Sequence, residues 1–212
     1  FWLFKQFHEE NRLYLIYGNH DVVKRKKGYT AKSCGAYFCT QSQQVQPLFP
    51  SLTFYEGIIL TTGTQPGHAP RVSLYLTHGH QASLLNSTFW RLSRFLVRYV
   101  WSPLENLGIL DPTSAAKNYR VKNKCENRLN RWAKENRRIL ITGHTHRPAL
   151  PDVPAHYYNT GSCVHPRCIT CIEIERMAMT LVKWSMTTRA DSTLYVAREI
   201  IAGPVPLTQF AP

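Results

Sequence analysis

The chain has 212 residues, enough for one α/β core, and its 43% hydrophobic content is ordinary for a globular protein. No apolar run approaches the roughly 20 residues of a membrane span, which argues against a membrane-spanning helix. A net charge of +13 favours an anionic partner, namely a phosphorylated substrate, an anionic membrane surface or nucleic acid. Because no linker or repeat divides the chain, we predict one domain over residues 1–203 and a loose tail over residues 204–212.

The first predicted elements are a helix and a strand. Residues 1–11 are typical of the end of an amphipathic helix, and residues 13–17 form a short apolar run typical of a buried strand. The abrupt start suggests a fragment of a longer protein. The strand ends in Gly18-Asn19-His20-Asp21, where Asn19 offers a neutral amide oxygen. Asp21 is placed to bond the ring of His20, which would fix its tautomer and keep it protonated.

Two further buried strands end in histidines. Residues 72–76 run into Thr77-His78-Gly79-His80, and residues 139–142 run into Gly143-His144-Thr145-His146, where we expect Gly143 to make a sharp turn. Polar groups at the ends of neighbouring strands of an α/β sheet gather at one edge. Asparagine and histidine are ligands for Mn, Fe, Zn or Ni. The three segments therefore predict a metal-binding edge, and two ions in such a site lie about 3.5–4 Å apart.

A basic helical insert is predicted between the second and third of these strands, over about residues 81–138. Its first helix, residues 88–101, presents Arg91, Arg94 and Arg98 as a cationic stripe. Its second helix, residues 115–138, carries Leu129, Trp132 and Ala133 on an apolar side. One interpretation is two helices that pack on the core and expose basic faces. The alternative is a lid that binds a phosphate and an apolar tail at a membrane surface. Nucleic acid is the weakest alternative, since no nucleic-acid-binding motif is present.

The C-terminal third is predicted to be β-rich. Arg147 follows the last histidine and could hold a substrate phosphate or be a solvated loop residue. A strand over residues 157–159 precedes a three-stranded meander over residues 168–174, 180–184 and 193–200. We expect Gly203-Pro204 to end regular structure. Six cysteines are present, and we interpret them as free buried thiols in a reduced, cytoplasmic setting rather than as disulfides or a zinc site.

The order of these motifs resembles that of the calcineurin-like metallophosphoesterase superfamily. The resemblance implies a β-sandwich flanked by helices that hydrolyses phosphomonoesters, phosphodiesters or pyrophosphates with two divalent metal ions, of which Mn is the first candidate. It implies that Asn19, His78 and His144 bind the second metal and His146 the first. It also implies that His20 is the catalytic histidine and that Asp21 orients it; His80 is a weaker candidate. The position of the insert is similar to that of the lid in bacterial UDP-2,3-diacylglucosamine pyrophosphatases.

The chain departs from the family pattern at its start. The Asp-x-His and Gly-Asp segments that precede the first motif in the family do not occur in this sequence. We therefore expect this chain to bind metal weakly and to turn over slowly or not at all, and the longer parent to be the enzyme. A pyrophosphatase or phosphodiesterase acting on a lipid- or nucleotide-linked substrate is the first hypothesis, and a phosphomonoesterase is the second. The rival is a non-catalytic scaffold, against which the retention of His20 with Asp21 argues.

Overall fold

The computed structural model describes residues 2–26, 28–33, 35–49, 51–62, 71–83, 92, 95–96, 99–100 and 118–210. Within these residues the chain is a mixed α/β protein with several small sheets and few helices. It divides into two compact units, Phe1–Ile58 and Ile59–Pro212. In the described ranges, no helix combines the length and apolarity needed to cross a membrane.

The first unit consists of short elements. Its helices are α1 (Trp2–Glu9), a 3-10 helix (Val22–Arg25) and α2 (Tyr29–Ser33), and its strands are β1 (Leu15–Ile16), β2 (Ala36–Cys39), β3 (Gln44–Pro47) and β4 (Phe54–Tyr55). The predicted first helix is confirmed. The predicted strand over residues 13–17 is shorter than expected, because β1 pairs in parallel with β4, which is itself two residues long. β2 and β3 form an antiparallel hairpin.

A four-stranded sheet, in the order β5-β6-β7-β8, forms the centre of the second unit, whose first residue, Ile59, falls within β5. These strands are β5 (Gly57–Thr61), β6 (Ser73–Thr77), β7 (Ile139–Thr142) and β8 (Tyr157–Asn159). β7 is parallel to β6 on one side and to β8 on the other. All four residues of β7 are buried, as expected for an inner strand covered on both faces. The predicted strand over residues 139–142 is confirmed, and the predicted strand over residues 72–76 lies one residue later.

An antiparallel meander follows, in the order β9-β10-β11. Its strands are β9 (Cys168–Glu175), β10 (Ala178–Thr188) and β11 (Leu194–Pro206). The predicted meander is confirmed, but the predicted loose tail is wrong. β11 continues through Gly203 and Pro204, and a 3-10 helix (Leu207–Phe210) follows it. The reason is apolar burial, since Val205 and Leu207 insert into the core.

Alternation along the parallel strands separates two apolar clusters. In β7, Ile139 and Ile141 belong to the cluster that includes Met179 and Leu181 of the meander. Leu140, between them in sequence, belongs to the second cluster, with helix α3 (Tyr119–Glu135). Because successive side chains of a strand point to opposite faces, the parallel sheet lies between the meander and α3.

Helix α3 begins later than predicted because Asn118 caps it. The Asn118 side chain accepts hydrogen bonds from the backbone N–H groups of Arg120 and Val121, which satisfies two of the unpaired donors of the first turn. The buried residues Cys125, Leu129 and Ala133 recur every fourth position, so one side of the helix packs on the sheet. Packing is therefore confirmed for this part of the insert, although Trp132 is largely exposed.

The other predicted helix of the insert lies mostly outside the described residues. Arg91, Arg94 and Arg98, the proposed substrate-binding stripe, all fall outside them.

Candidate functional site

The first histidine loop (His78, Gly79 and His80) follows β6. Gly79 has a φ of 102°, a left-handed conformation that glycine adopts readily and other residues rarely do. A 3-10 helix over His80–Ala82 then turns the chain back. The side chain of His80 is consequently buried, with 4% of the residue exposed.

The second histidine loop (Gly143, His144, Thr145 and His146) follows β7 and lies against the first. The backbone N–H of Gly143 donates to the carbonyl of His78 at 3.2 Å. A Cβ built on Gly79 would lie 3.1 Å from Thr142 Cβ and 3.5 Å from His144 Cβ. Since β6 and β7 are parallel neighbours, both loops leave the sheet at the same edge, which is where α/β sheets place their sites.

The backbone of the second loop differs from our expectation. Gly143 does not adopt a positive φ; His144 (φ 63°) and His146 (φ 55°) do. The Thr145 N–H donates to the Gly143 carbonyl at 2.7 Å and closes a three-residue turn around His144. Positive φ angles are uncommon for residues other than glycine and cluster at functional sites. Two of them in one four-residue loop show that the backbone of this turn is constrained.

Three imidazole rings meet where the loops touch. The centroid of the His78 ring lies 5.0 Å from that of His144 and 5.3 Å from that of His80. His80 and His144 are both buried, and His78 is half-buried between them. His146 is exposed. The sequence ranked His80 below the other histidines, yet the structure places its ring beside that of His78.

The chemistry of this donor set fits a transition metal. Imidazole nitrogens suit Zn, Cu, Fe and Ni. With metal–nitrogen distances of about 2.0–2.1 Å, two imidazoles on one ion have ring centres roughly 4.5–5.3 Å apart. The two observed ring separations fall in that interval. Across the described residues, however, no group of three or more His, Cys, Asp or Glu side chains is arranged to hold a metal ion. The rings of His80 and His144 thus each lie close to that of His78, and the described residues arrange no third side chain of these types to complete a metal site.

A carboxylate beside the second loop is already engaged. Glu126 of α3 accepts a hydrogen bond from the Thr145 hydroxyl at 2.8 Å, and its other oxygen lies 3.5 Å from a guanidinium nitrogen of Arg147. Asn123, one turn earlier on the helix, also accepts from Arg147 at 3.3 Å. Arg147, the predicted phosphate ligand, is therefore held by the helix while half of its side chain stays exposed.

Asn159, at the end of β8, fixes the second loop from the other side. Its buried amide nitrogen lies 2.9 Å from the Gly143 carbonyl and 3.0 Å from the hydroxyls of Thr145 and Tyr157. Its side-chain oxygen accepts from the Gly161 N–H at 2.8 Å. Burial raises the pKa of Tyr157, so its hydroxyl stays protonated in this network at neutral pH. Each of the three parallel strands, β6, β7 and β8, therefore leads into a histidine loop or ends in a residue that contacts one.

The first motif, in the other unit, has a different character. Asn19 is half-buried and His20 is exposed. Asp21 forms an ion pair with Lys24 Nζ at 2.8 Å, and no hydrogen bond joins it to His20 in the described structure. The same Lys24 ammonium lies over the ring of Phe54, 5.0 Å from its centroid. The expected orientation of His20 by Asp21 is therefore not present in this arrangement.

Sequence reasoning missed Glu126 and the role of Asn159. Glu126 occurs in a run of basic helical residues with no local signal, and only the packing of α3 brings it to the loop. Asn159 does have a local signal, because it ends the predicted strand over residues 157–159, where polar side chains gather at the edge of an α/β sheet.

The cysteines agree with the expectation of free thiols only in part. The five described cysteines form no disulfide, but Cys125 alone is buried and Cys163 is exposed.

Comparisons with protein-family models, curated proteins and solved structures gave no match to this chain.

Proposed function

We propose that this chain belongs to a metal-dependent hydrolase of phosphoester or pyrophosphate bonds. One observation carries the proposal: the ring of His78 lies between those of His80 and His144, at the ends of two adjacent parallel strands. This arrangement agrees with the order of motifs on which the resemblance to the metallophosphoesterases depends.

The histidines of the second unit would hold the metal. His78 and His144 would be ligands in this proposal, His80 a further donor, and His146 the ligand to a second ion. Bound metal would lower the pKa of a water molecule and stabilise charge on the phosphoryl oxygens. Arg147 is held by Glu126 and Asn123 with half of its side chain exposed, so it can bind a phosphate oxygen. From the resemblance alone, His20 supplies the proton and Asn19 a metal-binding amide oxygen.

Charge indicates an anionic substrate. Helix α3 carries six basic residues and two acidic ones, which are Arg120, Lys122, Lys124, Arg128, Arg131 and Lys134 against Glu126 and Glu135. A positive helix beside the histidine loops favours a phosphorylated substrate, but charge does not rank the three classes, because a phosphomonoester carries more negative charge than a phosphodiester. We place a pyrophosphate or phosphodiester, linked to a lipid or a nucleotide, ahead of a phosphomonoester because the position of the insert resembles that of the lid in the pyrophosphatases.

A non-catalytic scaffold of the same fold is the second candidate. Two observations favour it: Asp21 pairs with Lys24 rather than His20, and the described residues assemble no group of three or more metal-binding side chains. A scaffold would retain the histidine loops for their packing and bind phosphate without hydrolysing it.

Hydrolysis assays distinguish the two. The chain is supplied with Mn²⁺ and offered bis-p-nitrophenyl phosphate, p-nitrophenyl phosphate and a UDP-linked lipid. If the chain is an enzyme, we expect Mn²⁺-dependent turnover that falls by about 100-fold or more in His78→Ala and His144→Ala. His165→Ala, an exposed histidine away from the loops, serves as the matched control and keeps full activity. Because this chain is expected to turn over slowly or not at all, metal binding without turnover supports the scaffold only where a longer chain that carries the Asp-x-His and Gly-Asp segments is also inactive. A chain that binds no metal contradicts the proposal.

A further inference from the structure

Helix α3 contacts both histidine loops through residues of a single helical turn. The thiol of Cys125 donates to the Gly79 carbonyl at 3.7 Å, and the guanidinium of Arg128 donates to the Ala82 carbonyl at 3.0 Å. Between them, Glu126 reaches Thr145 of the second loop. One stretch of a single helix therefore touches the backbone or side chains of both loops.

The Thr145 hydroxyl is held from two directions. It donates its one hydrogen to Glu126 Oε1 at 2.8 Å and accepts from Asn159 Nδ2 at 3.0 Å. Thr145 is fully buried, and only 17% of the Glu126 side chain is exposed. Hydrogen bonds to a charged group in such a setting are among the stronger ones in proteins.

The residues on either side of Thr145 need this anchor. His144 and His146 both adopt positive φ angles, a conformation that is unfavourable for residues other than glycine. It persists only where surrounding contacts determine the backbone. The turn closed by the Thr145 N–H and the Gly143 carbonyl is local, whereas Glu126 and Asn159 attach it to two other elements.

We infer that Glu126 is a positioning residue, which fixes Thr145 and thereby the spacing and direction of His144 and His146. The inference rests on the proposed function, because it assigns Glu126 to the support of those metal ligands. Its two carboxylate oxygens have separate partners. One accepts a hydrogen bond from Thr145 and so holds the loop, and the other pairs with Arg147, the candidate phosphate ligand. Helix α3 is thus a rigid support for the site, in contrast to a lid that opens and closes.

Four variants test the contact of Glu126 with Thr145 separately from its contact with Arg147. Glu126→Ala removes the acceptor from Thr145 and the charge from Arg147, whereas Glu126→Gln keeps an oxygen acceptor for Thr145. Thr145→Val removes the hydroxyl at nearly constant volume, and Thr145→Ser keeps it. Glu135→Ala, an exposed glutamate of the same helix, is the matched control for residue type. Leu129→Ala, buried on the same helix, is the control for destabilisation alone.

Two measurements are made on each variant of the full chain. The first is amide hydrogen exchange of Thr145 and His146 together with the ring signals of the histidines by NMR, without metal. The second is the affinity for Co²⁺ alone, followed by its visible absorption. We expect Glu126→Ala and Thr145→Val to accelerate exchange in the loop and to weaken Co²⁺ binding by about 10–100-fold. Glu126→Gln, Thr145→Ser and Glu135→Ala should stay within about threefold of the parent.

The outcomes are distinct. Unchanged exchange and ring signals in Glu126→Ala overturn the positioning role, and so does Leu129→Ala if it weakens Co²⁺ binding as much at equal stability. If Glu126→Ala does not fold, Thr145→Val against Thr145→Ser decides the same question. A parent chain that binds no Co²⁺ contradicts the proposed function, while the metal-free NMR measurement still decides whether Glu126 holds the loop.

Discussion

The two regions that carry the histidine motifs differ in how firmly their side chains are held. In the second unit, His80 and His144 are buried, and the loop around Thr145 is bonded to Glu126 and Asn159. In the first unit, His20 is exposed and the adjacent Asp21 is paired with Lys24. The same residue types, placed after similar short strands, therefore gain a defined geometry only where other elements supply hydrogen bonds and burial.

Substitution of Asn159 should give the largest difference in stability between the two regions. Asn159→Leu removes the amide that bonds the Gly143 carbonyl, Thr145 and the Gly161 N–H, and leaves buried polar groups without partners. We expect a loss of about 3 kcal/mol or more in the free energy of unfolding, since each such group costs roughly 1–3 kcal/mol. Asn19→Leu, in the half-exposed motif, should cost less than about 0.5 kcal/mol. Urea unfolding measures both, and equal losses would remove the contrast between the two regions.

Gly79 gives the next contrast. Gly79→Ala adds a Cβ 3.1 Å from Thr142 Cβ at a φ of 102°, so strain and crowding act together. We expect about 2–3 kcal/mol of destabilisation and a loss of the close approach between the histidine loops. Gly28→Ala is the control, because Gly28 has a φ of 78° but nothing within 4 Å of its would-be Cβ, and about 1 kcal/mol is expected there. Equal losses of thermal stability in the two variants would show that the histidine loops are not in close contact at Gly79.

Cys125 makes the burial of α3 measurable through pH. Burial, aided by the charge of Glu126, raises the pKa of this thiol to about 11. Below pH 9 both folded and unfolded chains keep the proton, whereas between pH 9 and 11 the unfolded chain releases it more readily. Stability should therefore fall as pH rises through this window, by about 1 kcal/mol at pH 10.

Cys125→Ala removes that contribution, and Cys163→Ala, at an exposed position, leaves it intact. Unfolding titrations at pH 8 and pH 10 check the difference. If the free energy of unfolding depends on pH in the same way in the parent and in Cys125→Ala, the Cys125 thiol is exposed to solvent and not buried.

Asp21 gives the smallest expected effect on stability. Its ion pair with Lys24 is partly exposed, so Asp21→Asn and Lys24→Met should each change the free energy of unfolding by less than about 0.5 kcal/mol. If the resemblance assigns the right role to Asp21, Mn²⁺-dependent turnover in Asp21→Asn falls at least about tenfold despite this small effect. Unchanged turnover in Asp21→Asn would remove Asp21 from the chemistry.

The elements that could be predicted from the sequence are those with strong local patterns. β7 follows directly from three apolar residues and a threonine, and the meander from three β-rich segments. The continuation of β11 was missed because Gly203 and Pro204 usually interrupt a strand, whereas here the burial of Val205 and Leu207 outweighs them.

The candidate site was predictable to a similar extent. His78 and His144 stand out by position after apolar runs, and the structure brings their rings together. Glu126 could not be predicted, since its role depends on a contact across 19 residues that the packing of α3 creates. Propensity predicts the sharp turn at Gly143, whereas the positive φ angles lie at His144 and His146, on either side of the hydrogen-bonded Thr145.

The most direct test of the histidine cluster is a Co²⁺ titration of the 212-residue chain beside His78→Ala and the control His165→Ala. Because three neutral imidazoles provide little charge to hold a divalent ion, we predict weak binding by the parent, reduced by at least about 10–100-fold in His78→Ala and unchanged in His165→Ala. Equal binding by the parent and His78→Ala would contradict a metal site at these loops. Two tightly bound ions in the parent would contradict the prediction of weak binding.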